Sequence, residues 1–133
     1  MGCSLHTKWV LEKHCSFSIS LQLAYSANSK MTKLATLRFT ELLMAEYGEQ
    51  GILAFAAHPG SIATDMAAKM PQEMMHILVD TPEIAAHALT WLVRERRDWL
   101  AGRYFCCQWD VNELEAKRQE IVDGDKLKVR MVV

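Results

Sequence analysis

Six apolar residues, Ile52 to Ala57, stand unbroken between Gly51 on one side and His58-Pro59-Gly60 on the other. A run so short and so sharply bounded reads as a strand rather than a helix. It has no polar alternate, so both of its faces must be covered. Such a strand belongs in a parallel sheet with helices packed above and below, and that requirement narrows the chain to a layered α/β fold.

The flanking segments supply the cover. From Asn28 to Tyr47, Met31, Leu34, Leu37 or Arg38, Leu42 and Ala45 form one helical stripe and Ala35, Phe39, Leu43 and Tyr47 a second. Asn28 or Ser29 caps the start and Gly48 suits a left-handed stop. Two apolar stripes imply cover on two sides, by the sheet and by another helix or subunit. Thr81-Pro82-Glu83 opens a second helix, with Thr as cap, Pro in the first turn and an acid at the positive end. It runs to about Arg96, with Ile84, Ala85, Ala88, Leu89, Leu92 and Val93 inward and Arg94, Arg96 and Arg97 in its last turn. Residues 64–79 are Met-rich, broken by Pro71, and predict short helical pieces over a cleft. Residues 102–109 read as a strand and 111–121 as a polar surface helix. Near the start, Phe17, Ile19, Leu21 and Leu23 alternate with polar residues, the period of a half-buried strand. On that period the neighbours Cys106 and Cys107 point to opposite faces, one of them buried.

The 133 residues suffice for one domain. Fifteen basic against sixteen acidic residues leave a net charge of −1, which offers no footprint for nucleic acid or an anionic membrane. Ile52–Ala57 is far too short to span a bilayer. The four cysteines show no zinc-ligand spacing, and with no secretory signal in view they fit a reducing, cytoplasmic setting.

Three segments in order carry a family resemblance. Ala24-Tyr25-Ser26-Ala27-Asn28-Ser29-Lys30 runs into the first helix, Gly51 to Thr64 holds His58-Pro59-Gly60, and Trp99-Leu-Ala-Gly-Arg-Tyr104 is followed by Trp109-Asp110 and Asp123 to Arg130. Together, over about residues 24–133, they resemble the C-terminal half of the short-chain dehydrogenase/reductase family, most of all its fungal members. The resemblance implies the C-terminal part of a Rossmann-type doubly wound parallel sheet, a three-layer α/β/α architecture with the N-terminal half missing. It implies NAD or NADP as cofactor, a small-molecule carbonyl or alcohol as substrate, and homo-oligomers. In that family a Tyr and a Lys four residues later form the catalytic pair. A phenol with a pKa of about 10 is a poor base near neutrality until a cation stabilises the phenolate. The lysine also holds the nicotinamide ribose. The resemblance therefore assigns proton exchange to Tyr25, the cofactor ribose to Lys30, and the flank of the nicotinamide to Pro59, Gly60, Ile62 and Thr64.

The sequence departs from that pattern in three respects. Tyr25 and Lys30 are five residues apart, about 140° round a regular helix, and meet only if Tyr25 precedes the helix. No glycine-rich turn for a pyrophosphate is present. The family's catalytic Ser has no counterpart, since Glu12 and Lys13 occupy its neighbourhood. Residues 1–23 are unlike the family and read as an altered start. Two functions follow as expectations: an oxidoreductase whose 133 residues alone have little activity, or a non-catalytic interaction protein working through the strand edge and apolar faces that a half-built sheet exposes.

Overall fold

A computed structural model describes residues 14–18, 27–65, 67 and 70–131. Its centre is a parallel sheet of three strands, β1 (His14–Ser18), β2 (Leu53–His58) and β3 (Tyr104–Cys106), in the order β1-β2-β3. Phe17 pairs with Ala56 in one register and Ala56 with Tyr104 in the other. All six residues of β2 are buried, as an apolar run in the middle of a parallel sheet demands. The alternating segment expected over 17–23 begins earlier, at His14, and residues 19–23 lie outside the described residues.

The crossover from β1 to β2 is α1 (Ala27–Tyr47). Its inward face carries Leu37, Thr40 and Met44, at spacings of three and four residues. Thr40 is fully buried, and its hydroxyl donates to the Thr36 carbonyl at 2.9 Å, so the polar group is satisfied within the helix. The opposite face, with Met31, Leu34, Phe39 and Leu42, is exposed. The left-handed stop falls at Gly51 (φ 85), one 3-10 turn beyond Gly48. Gly48 begins that turn instead of ending the helix.

The second crossover is α2 (Pro82–Arg94), which buries Ala85, Ala88 and Leu92 against Phe55, Leu100 and Phe105. Ile84, expected inward, is exposed. The chain turns extended at Glu95, so Arg96 and Arg97 lie beyond the helix. Arg97 is buried with its guanidinium 3.8 Å above the Trp91 ring. The last strand ends after three residues, and both Cys106 and Cys107 are buried because the chain turns inward there. The surface helix expected over 111–121 is two short ones, α3 (Val111–Ala116) and α4 (Arg118–Asp123). Asp110 caps α3 by accepting the Asn112 N–H at 2.7 Å. Residues 124–130 then return to the sheet, where the Tyr104 N–H donates to the Leu127 carbonyl at 2.8 Å.

Candidate functional site

The carboxyl end of β2 is where this architecture offers a ligand site, because loops leaving parallel strands open onto a crevice there. The buried strand delivers His58 to the edge, and Pro59 removes the next backbone donor and breaks the ladder. Gly60 then turns with φ +102, a conformation other residues rarely adopt. A β-carbon at Gly60 would stand 2.9 Å from Asp80 Oδ2. Pro59, Gly60, Ile62 and Thr64, singled out above, thus share one loop.

His58 is buried, and its Nδ1 accepts the Gly60 N–H at 2.8 Å. A ring nitrogen that accepts carries no proton, so the imidazole is neutral with its hydrogen on Nε2. Burial pushes its pKa below the usual 6.5, and the positive charge of Lys33 acts in the same direction. A hydrogen bond to its own backbone and, less strongly, the Asp80 carboxylate oppose both. On the far side, Asp80 Oδ2 accepts the Ser61 N–H at 2.5 Å and a Gln108 Nε2 hydrogen at 2.6 Å. Thr64 is exposed, and its Oγ1 accepts the Ala67 N–H at 3.3 Å. That bond takes one of two lone pairs, so the hydroxyl keeps its proton and a second lone pair for a ligand.

The other two expected residues stand differently. Tyr25 lies outside the described residues, and Lys30 falls in the first turn of α1. Among the residues with described side chains, Lys33, on the helix face of Leu37, Thr40 and Met44, is a lysine whose charge reaches His58. Four residues before Lys33 stands Ser29, and four before Lys30 stands Ser26, so neither lysine has tyrosine at the family spacing. Sequence reasoning missed Lys33, His58, Asp80 and Gln108. Only Lys33 had a signal, as the lysine in register with the inward face.

Clefts among the described residues also lie elsewhere. One of about 210 Å3 opens between Leu37, Glu41, Tyr104 and Leu127, and another of about 290 Å3 over Trp109, Leu114 and Ile121. Neither is lined by the loop after β2. Among the described residues no group of three His, Cys, Asp or Glu is placed to hold a metal ion, and no helix is long and apolar enough to cross a membrane.

Compared with known proteins, the chain is 50% identical over 101 residues to the short chain dehydrogenase mpl6 of Monascus purpureus. It is 43% identical over 102 residues to the short chain dehydrogenase andI of Emericella variicolor. These matches cover 76% and 77% of this chain, yet the chain spans only 35% of either relative. A third, the short chain dehydrogenase tazN of Aspergillus terreus, is 39% identical over 110 residues, 80% of this chain and 24% of the relative. No family model matches the chain, and no solved structure does.

Proposed function

The chain belongs, over about three quarters of its length, to the short chain dehydrogenase family, and on that premise we propose that it carries the nicotinamide end of an NAD(P)-dependent oxidoreductase site. The reaction is reduction of a small carbonyl compound or oxidation of the corresponding alcohol. The sheet is read as part of a doubly wound Rossmann-type sheet, in three layers once complete. The observation that carries the reading is the loop 59–64, held beyond the carboxyl end of a buried parallel strand beside a neutral histidine and a lysine charge.

The residues at hand suit that end of the cofactor. Thr64 offers a hydroxyl proton, Pro59 and Gly60 bring bare backbone close, and a lysine ammonium suits a ribose hydroxyl. When bound, the nicotinamide takes or supplies the hydride. Tyr25 is proposed to exchange the proton with the substrate oxygen, with Lys30 or Lys33 holding the phenolate form. Support for Lys33 is its charge at His58; support for Lys30 is its place next to Tyr25 in the resembling segment. The buried thiols of Cys106 and Cys107, unpaired, favour a cytoplasmic setting.

Titration of the chain with NADH and NADPH, followed by backbone amide shifts, tests the reading. The expected result is saturable shifts at Ile62 and Thr64, lost in Lys33→Met and kept in Lys30→Met if Lys33 holds the ribose. No shift with either nucleotide sinks the proposal. A second reading, self-association, is favoured by the exposed Met31, Leu34, Phe39 and Leu42 on α1. Leu42→Glu is expected to convert an oligomer to monomer by light scattering; a chain that is monomeric before mutation ends that reading.

A further inference from the structure

Two neighbours of the loop, Asp80 and Gln108, have no part in the proposed chemistry, yet they converge on it from elements far apart in sequence. Asp80 and Ser61 close a ring of two hydrogen bonds: the Ser61 N–H donates to Asp80 Oδ2 at 2.5 Å and the Asp80 N–H to the Ser61 carbonyl at 3.1 Å. Ile62 bridges Asp80 in parallel fashion, like the last rung of a ladder. The same Oδ2 takes the Gln108 amide at 2.6 Å, and Gln108 Oε1 accepts the Cys106 thiol at 3.5 Å. Gln108 lies in the turn after β3, where the Cys107 N–H donates to the His58 carbonyl at 2.9 Å.

We propose that Asp80 is a positioning residue of the candidate site, clamping the loop of Pro59, Gly60 and Thr64 to the turn after β3 through Ser61 on one side and Gln108 on the other. This rests on the oxidoreductase reading and deepens it. The Gly60 N–H is spent on His58 and the Ser61 N–H on Asp80, so both donors of the turn are engaged on the protein side. The loop therefore cannot roll to present them, and its course past Thr64 is set before any ligand arrives. Bonds to a carboxylate are the stronger kind, and removing the acceptor leaves the Ser61 N–H and the Gln108 amide without it at once. Glycine at 60 follows from the same contact, because a side chain there would displace the carboxylate.

Amide hydrogen exchange on the 133-residue chain reads the clamp without any activity. In Asp80→Ala the Ser61 amide is expected to exchange roughly tenfold to hundredfold faster, while Phe55 and Ala57 in β2 keep their rates. Asp80→Asn, which retains one acceptor oxygen, recovers part of the protection. If Asp80→Ala does not fold, Gln108→Ala removes the exposed arm alone, and Ser61 is expected to exchange severalfold faster with Phe55 unchanged. An unchanged Ser61 rate in whichever variant folds, or a loss shared equally by Phe55 and Ala57, overturns the proposal. NADH titration of the same samples separates the two readings. Absence of binding by the unmutated chain defeats the oxidoreductase reading and leaves the exchange result to judge the clamp. Binding that is as tight in Asp80→Ala as in the unmutated chain, with Ser61 unprotected, overturns the positioning role.

Discussion

Glu41 Oε1 accepts the backbone N–H of Val129 at 2.9 Å, across 88 residues of sequence. The other carboxylate oxygen meets Arg130 at 3.0 Å and Arg38 at 2.5 Å, and the side chain is only 10% exposed. One acid on the inward side of α1 thus holds the end of the described chain. The helix that carries Lys33 is thereby tied to the segment that pairs with β3.

Replacing Glu41 with Ala should free residues 124–131. The Val129 N–H and two arginines lose their acceptor together, and a bond to a mostly buried carboxylate is worth about 1.5–3 kcal/mol. Limited proteolysis is expected to cut near Lys126, Lys128 or Arg130 in the variant and to spare them in the unmutated chain. Equal cleavage of both would show that the Leu127 contact alone suffices.

Acid should weaken a second tie of the same segment, Asp125, which pairs with the buried Arg103 at 3.1 Å. Hydrogen bonds from Lys128 and Arg130 hold the Asp125 carboxyl well below its usual 3.8. Because the folded value lies below the unfolded one, this contribution is present above pH 3.8 and is lost as the pH falls through the folded value. The group is half exposed, so the contribution is screened and modest. Asp125→Asn should flatten the acid limb of the stability curve between pH 4 and 2, measured by urea unfolding; an unaltered limb would exclude Asp125 from it.

The parts of this fold that were legible in sequence are those written in local periodicity. The apolar run at 52–57 and the helix over 28–47 appear within one residue of β2 and α1. Where geometry decided, periodicity misled: β3 ends after Cys106, so alternation no longer applied at Cys107, and both thiols are buried. The extended turn at Glu95 likewise took Arg97 from the expected last turn of the helix to the face of Trp91. The loop 59–64 was singled out by the family resemblance of Gly51 to Thr64, not by its Pro-Gly alone. Its clamp was not, because Asp80 meets Ser61 from 19 residues away and Gln108 meets Asp80 from 28, with no spacing rule joining them.

Lys33 and His58 make a pair whose coupling can be read directly. Burial is the first cause of the lowered His58 pKa and the Lys33 charge adds to it, so Lys33→Met should raise the value. With the folded pKa below 6.5, the neutral imidazole contributes stability that is fully present above pH 6.5 and declines as the pH falls towards the folded value. Lys33→Met should narrow that window. Proton NMR of the His58 ring against pH checks both points, and an unmoved midpoint would place Lys33 too far from the site to hold a ligand there.

Gly60 and Gly48 should answer the same substitution very differently. Alanine at Gly60 must adopt φ +102 and set its methyl 2.9 Å from Asp80 Oδ2, costing about 1–3 kcal/mol of backbone strain before the carboxylate moves. Alanine at Gly48 meets only the terminal methyl of Met44, at 3.1 Å, and that methyl can turn about the Cγ–Sδ bond while the sulfur keeps the Ala54 N–H. There the lower entropy of the unfolded chain is expected to offset the contact, leaving Gly48→Ala near neutral. Urea unfolding of both variants gives the comparison. A Gly60→Ala chain as stable as its parent would mean that the loop after β2 takes another course, and the site built on it would fall with it.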